Sequence, residues 1–230
     1  MQPTVLITGT NRGLGLFLAQ EFLDQGYTVY SLARSMSPEL DQLLQLHETR
    51  LIHFRADVTD PARLEEIARD FTEQGWKVDI LINNAAVHFE HDDPGLENLD
   101  PETLLDTFRV NAAAPLSVVK HFLPRVQKMI VNISSEAGSI ENCWRTGQFG
   151  YCMSKAALNM ASKILQNKLE EDHLKVLAVH PQWFRSDMGG DEAPISPAEA
   201  AEHVRKTILK DWTLEDPIYV DSESSQQIAW

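Results

Sequence analysis

Tyr151 and Lys155 stand four residues apart in the run Tyr151-Cys152-Met153-Ser154-Lys155. On a helix, residues i and i+4 share a face. There an ammonium group favours the tyrosinate and turns a weak acid into a usable proton donor or acceptor. The pair alone is equally compatible with a surface aromatic beside a solvated lysine, so the rest of the chain has to decide. A second chemical stretch is Gly9-Thr10-Asn11-Arg12-Gly13-Leu14-Gly15, spaced GxxxGxG rather than GxGxxG. Glycines at such a turn allow close backbone approach, and a helix starting there receives a pyrophosphate on its first amides. A glycine loop without a ligand is the alternative. A third is Ser134-Ser135 at the end of an apolar run, where a hydroxyl can hold a carbonyl oxygen or simply cap the loop.

These residues need elements to position them. Thr4 to Thr8 is a short β-branched apolar run that reads as a doubly buried strand, and Leu16 to Leu23 repeats apolar residues at helical spacing. Strand, glycine turn and helix is the context that gives a glycine motif meaning. Tyr27 to Leu32 is a second strand, followed by Arg34 where an NAD site would carry an acidic residue. Arg34 and Arg12 together suit a 2′-phosphate, which guanidinium groups grip bidentately, so the expected cofactor is NADP(H). Ordinary solvated arginines are the other possibility.

Further on, Ser37 to His47 looks helical and Leu51 to Arg55 is a third strand leading to Asp57 and Val58. Asp57 is a candidate acceptor for an adenine amino group or a loop aspartate capping local amides. Asp60-Pro61 and Asp100-Pro101 both read as helix starts, aspartate as N-cap and proline at the first position. Val78 to Ile82 is strand four, ending in Asn83-Asn84-Ala85-Ala86, where small residues let a ligand approach and asparagines tie strand ends. His88 to Leu99 is polar and irregular, a loop, whose His88 could touch substrate or be solvated. One long helix is expected from Asp100-Pro101 to about Leu123. Asn111 in its middle is a poor helix former with either a functional reason or a tolerated exposed place. Met129 to Ile133 is strand five, a long helix carries Tyr151 to about Leu169, and Lys175 to Val179 is strand six. Ser196 to Glu199 reads as a capping box before a helix to about Lys210. Pro217 to Val220 is a last strand, and Trp230 in the polar tail is expected to dock. No repeat or linker interrupts the alternation, so residues 1–230 form one α/β domain.

Bulk composition narrows the classes. Hydrophobic residues make up 43% of 230, enough for a sizeable core. A formal net charge of −14 argues against nucleic acid and anionic lipid as partners. Cys143 and Cys152 form neither a CxxC nor a zinc spacing, so no metal is expected and free thiols in a reducing cytosol fit. Met1-Gln2-Pro3 leads straight into a strand without a basic, long apolar leader, and no run reaches the roughly 18 apolar residues of a membrane helix. A soluble cytoplasmic protein is expected.

Thr8-Gly9-x-x-x-Gly13-x-Gly15, Asn83-Asn84-Ala85, Asn111, Ser135 and Tyr151-x-x-x-Lys155 occur in the order and approximate spacing of the short-chain dehydrogenase/reductase family, which the whole chain resembles. His180-Pro181-x-Trp183-x-x-Ser186-Asp187-Met188-Gly189-Gly190 and the Trp at 230 look more particularly like the carbonyl-reductase group that includes the Sniffer and C-factor proteins. The resemblance implies a Rossmann-type doubly wound sheet of about seven parallel strands in the order 3-2-1-4-5-6-7. It implies Tyr151 as general acid in carbonyl reduction, Ser135 on the substrate oxygen, and Asn111 positioning a water behind Lys155. Lys155 would hold the nicotinamide ribose and lower the tyrosine pKa. Asn11, Arg12 and Leu14 would line the phosphates, Asp57 and Val58 the adenine, and Ala85 and Ala86 the ribose. Pro181, Trp183, Phe184 and Ser186 would surround the carboxamide. Homodimers or homotetramers through the helices near Thr103 and Tyr151 are likewise implied, although their outward faces do not read as strongly hydrophobic.

The chain departs from the pattern in three places. Ala86 replaces a common glycine, the interval from Ser135 to Tyr151 is long around Cys143-Trp144-Arg145, and Gln182 replaces a glycine after Pro181. Gln182 cannot freely take positive φ, which puts the geometry of that loop in question. The expected substrate is a small-molecule carbonyl, bulky or aromatic, set against Trp144, Phe149, Trp183 and Met188 or leaving them as plain packing. The alternative is an NADP(H)-binding sensor with little turnover. Alcohol oxidation would use the same site in reverse.

Overall fold

The computed structural model describes residues 2–89 and 96–230. Seven strands pair in parallel in the order β3-β2-β1-β4-β5-β6-β7. They are β1 Thr4–Thr8, β2 Thr28–Ala33, β3 Leu51–Arg55, β4 Val78–Asn83, β5 Val126–Ile133, β6 Lys175–His180 and β7 Tyr219–Asp221. The helices are α1 Gly13–Asp24, α2 Pro38–Leu46, α3 Pro61–Glu73, α4 Pro101–Phe108, α5 Ala114–Phe122, α6 Phe149–Leu169 and α7 Pro197–Ile208. This is the expected doubly wound α/β sheet.

Alternation along each strand divides the core between the two faces. Val5 and Ile7 pack with α1, α2 and α7 through Leu18, Phe22, Leu40 and Val204, whereas Leu6 faces Leu64, Phe71, Val118 and Phe122 from α3 and α5. Burial on both sides explains why β1 and β6 are unbroken apolar runs. Helix starts follow the sequence signals. Asp60 accepts the N–H groups of Ala62 and Arg63, Asp100 those of Glu102 and Thr103, and Ser196 with Glu199 closes a capping box.

The chain from Pro101 to Phe122 is not one α-helix. A π turn at Arg109–Ala113 separates α4 from α5. Pro115 has no N–H to donate to the carbonyl of Asn111 four residues back, so the regular ladder cannot continue there. Of the expected loop from His88 to Leu99, Leu96–Asn98 forms a 3-10 turn, and residues 90–95 lie outside the described part. Trp230 docks as expected, its ring 5.4 Å from that of Tyr219. Among the described residues no helix is long and apolar enough to cross a membrane.

Candidate active site

Ladder partners Thr8 with Leu32, Ile82 with Val131 and Ile133 with Val179 bring the carboxyl ends of the central strands level. The chemically distinctive residues gather on the loops beyond that edge, where open α/β sheets bind ligands.

The glycine loop leaves β1 with Gly9 at φ +74°. A Cβ on Gly9 would stand 2.9 Å from Ala85 Cα, and one on Gly15 would stand 2.2 Å from the Gly9 carbonyl oxygen. These two glycines therefore let the loop, α1 and the end of β4 close on one another. Gly13, at φ +54°, has open space where a side chain would lie. Thr8 Oγ1 accepts from the amides of Asn84 and Ala85, and Asn84 Nδ2 donates to the Thr8 carbonyl at 2.9 Å. Arg12 caps α1 without a side-chain hydrogen bond, which leaves the first-turn amides to an incoming anion. The open position at Gly13, these amides and two exposed arginines fit a dinucleotide phosphate cradle.

Asn11 Nδ2 donates to Ser35 Oγ at 3.2 Å, and Arg34 stands 3.8 Å from Asp57. Asp57 accepts from the amide and hydroxyl of Thr59 at 2.8 and 2.7 Å. Burial pushes its carboxyl up, but the Thr59 bonds and the Arg34 charge outweigh it and hold the group below its ordinary value. Arg12 does not point at Arg34. It pairs with Asp187 from the loop after β6. Nothing in the residue pattern announces that pair.

Asn111 sits buried in the π turn. Its Oδ1 accepts from Val87 N at 2.8 Å, and its Nδ2 donates to Val87 O at 2.8 Å and Ser154 Oγ at 3.1 Å. One side chain thus ties the exit of β4 to the turn of α6 that carries Tyr151. This accounts for the asparagine in structural terms.

Ser135 Oγ accepts from Ala137 N at 3.1 Å, and its hydroxyl lies near enough to the Tyr151 phenol to favour the ionised form. Lys155 is fully buried, 5.6 Å from the Tyr151 ring centre, and donates to the Ile133 carbonyl at 2.8 Å. Burial pushes its pKa down to about 8. The expected lowering of the tyrosine by this lysine is not what the protein alone displays. Burial raises Tyr151 above its ordinary value, and Ser135 offsets it only in part. His88, whose sequence context left it open, lays its ring on Tyr151 with centroids 4.9 Å apart.

Beyond β6, Pro181 is buried and Gln182 takes φ +72°. The loop geometry left in question by Gln182 is thus the positive-φ one that glutamine does not freely adopt. Gln182 Nε2 donates to Asp221 and holds the backbone in the glycine-like region. Trp183 Nε1 donates to the Gly189 carbonyl at 2.8 Å, and Ser186 Oγ accepts from Gly189 N at 2.9 Å, leaving its O–H available to donate.

A family model described as short chain dehydrogenase matches residues 3–194. The chain belongs to the short-chain dehydrogenase family. Among curated relatives, this short-chain dehydrogenase is 34% identical over 228 residues to the short-chain dehydrogenase RED3 of Pyricularia oryzae, covering 89% of each chain. It is 29% identical to the benzil reductase ((S)-benzoin forming) of Bacillus cereus, over 80% of this chain and 76% of that one. The solved carbonyl reductase Sniffer of D. melanogaster superposes with a TM-score of 0.90 at 26% identity over 100% of both chains. The NADPH-bound carbonyl reductase from chicken fatty liver does so at 0.89 and 28%, again over 100% of both.

In this short-chain dehydrogenase the remaining expected residues divide. Val58 is buried in the core, while Ala86 is half-buried after β4 and Phe149 is half-buried at the first position of α6. Phe184 packs against the core and bridges to Ile195. Trp144, Trp183 and Met188 are exposed. Sequence reasoning named Arg145 only as part of the long interval and passed over Glu136 and Gln148; the three form a linked group beside Ser135. A carboxylate directly after the strand-end serine was the available signal.

Proposed function

We propose that the chain is an NADPH-dependent carbonyl reductase. The observation that carries this is Ser135 beside Tyr151, with buried Lys155 one turn on and 5.6 Å from the Tyr151 ring centre, and an open anion cradle across the same strand ends. Bound NADPH would supply the hydride that the carbonyl carbon takes up. Tyr151 gives its hydroxyl proton to the carbonyl oxygen, so that ketone or aldehyde becomes alcohol. Ser135 donates to that oxygen and orients it. A tyrosine raised by burial stays protonated at neutral pH and suits the donor's part. Lys155, buried and close, would favour the tyrosinate left behind and hold the nicotinamide ribose.

NADPH rather than NADH is supported by Arg12 and Arg34 and by the NADPH named with the chicken enzyme. Asn11, Gly13, Leu14 and the α1 amides would hold the pyrophosphate. Asp57 and Val58 would flank the adenine, Ala85 and Ala86 the ribose, and Pro181, Trp183, Phe184 and Ser186 the carboxamide. The exposed Trp144, Trp183 and Met188 favour bulky aromatic carbonyls. A panel of aromatic ketones and aldehydes, followed by NADPH absorbance, tests this. Consumption with aryl ketones supports it, and an inert panel counts against it. Self-association through α4, α5 and α6 belongs to the same proposal. Their outward faces expose Leu105, Leu116, Met153, Met160 and Ile164, more apolar surface than the sequence suggested.

A further inference from the structure

Glu136 directly follows Ser135 and opens the 3-10 turn Glu136–Gly138. Arg145 meets it with a bidentate fork. Nη1 donates to Oε2 at 3.0 Å and Nη2 to Oε1. The remaining donor, Nε, reaches Gln148 Oε1 at 3.1 Å. Gln148 is the last residue before α6, sits at φ +59°, and its carbonyl accepts from Cys152 N at 2.9 Å. One guanidinium therefore links the residue after Ser135 to the residue three before Tyr151. The pair is largely withdrawn from solvent, with side-chain exposures of 16% for Arg145 and 37% for Glu136. The far side of the same segment is fixed as well. Glu136 N donates to His180 Nδ1 at 3.2 Å, and the Tyr219 hydroxyl donates to the Ser135 carbonyl at 2.6 Å.

We propose that Glu136 and Arg145 are a matched pair of positioning residues that hold Ser135 and Tyr151 in register and keep the local field at the phenol balanced. The proposal rests on the reading of Tyr151 as the proton donor. A fork of two parallel bonds fixes orientation as well as distance. A misplacement of about 1 Å between reacting groups is enough to cost some hundredfold in rate.

Tyr151 is faced by charged or titratable groups from every neighbouring element. His88 lies on its ring from the β4 exit, Glu136 and Arg145 approach from the β5 loop, and Cys152 and Lys155 share its helix. His180 on β6 is bonded to Glu136 N, and Tyr219 on β7 reaches the Ser135 carbonyl. Within this set the carboxylate of Glu136 disfavours the tyrosinate and the guanidinium of Arg145 favours it. Removing one partner exposes the other's charge, so the two single variants must act in opposite directions.

The test compares Arg145→Met, Glu136→Gln, the double variant and Arg145→Lys, each as the NADP+ complex. Tyr151 ionisation is read from the tyrosinate difference spectrum after subtracting the Tyr151→Phe signal, and kcat is read separately. The midpoint should rise in Arg145→Met, fall in Glu136→Gln and return toward wild type in the double variant. Arg145→Lys keeps the charge without the fork, so it should hold the midpoint while kcat drops roughly tenfold. NADPH affinity should stay within about twofold throughout. Midpoints that move together, or do not move, overturn the proposal. If Arg145→Met does not fold, Glu136→Gln and Arg145→Lys decide between the same outcomes. If the chain reduces no carbonyl, the functional reading fails while the titration still decides on the pair.

Discussion

Arg12 in the glycine loop and Asp187 beyond β6 form an ion pair across 175 residues of sequence, joining the two loops that frame the proposed cofactor side of the site. Both side chains are largely exposed, so the pair is screened and weak. An arriving 2′-phosphate or pyrophosphate competes with Asp187 for the same guanidinium. Asp187→Asn should therefore tighten NADPH binding by up to about fivefold at low salt, with the gain fading as salt rises. Titration calorimetry at two ionic strengths checks this, and unchanged or weaker binding contradicts it.

Arg34 has a carboxylate nearby, Asp57 at 3.8 Å, which is itself held by Thr59. Arg34→Asp places like charges together where a 2′-phosphate would sit. NADPH affinity should drop tenfold or more while NADH affinity changes little. Equal losses for both cofactors would remove Arg34 from the selectivity account.

Gln182 has positive φ and one stabilising contact, its amide on Asp221. A non-glycine residue there costs about 1–2 kcal/mol. Gln182→Ala keeps the strain and loses the bond, so it should destabilise by about 1 kcal/mol. Gln182→Gly relieves the strain as it loses the bond and should stay close to wild type. Urea unfolding ranks the three, and alanine matching wild type would show that the Asp221 contact contributes nothing.

Lys155 couples stability to pH. Its folded pKa, about 8, lies below the ordinary 10.5. Between those values the unfolded chain holds a proton that the folded chain lacks, so stability must rise with pH through that window. At 1.36 kcal/mol for each pH unit the full gain is about 3 kcal/mol. Lys155→Met should abolish the rise and be the more stable protein at pH 7.5. Denaturant unfolding at pH 7.5 and 9.5 measures it. A wild-type curve as flat as the variant's would contradict the buried, deprotonatable lysine.

The fold was legible because strand burial writes itself as unbroken apolar runs such as Val5-Leu6-Ile7, and because Asp60-Pro61 and Ser196-Pro197 announce helix starts through local chemistry. The π turn at Asn111 was not legible as such. It depends on Val87 and Ser154, 24 and 43 residues away, together with the missing amide of Pro115. Asn111, Ser135, Tyr151 and Lys155 could be named as candidates from order and spacing, but their electrostatics could not. Whether burial or a neighbouring charge governs Tyr151 is decided by how deeply the phenol lies, which a sequence does not state. Gln182 shows the opposite failure. Intrinsic φ preference argued against a conformation that one distant carboxylate, Asp221, holds in place.

The most direct test follows NADPH consumption with an aryl ketone by wild type and Tyr151→Phe, with NADPH binding measured alongside. Removing one hydroxyl should lower turnover by at least about 100-fold and leave cofactor affinity within about twofold. Turnover that survives in Tyr151→Phe would contradict Tyr151 as the proton donor.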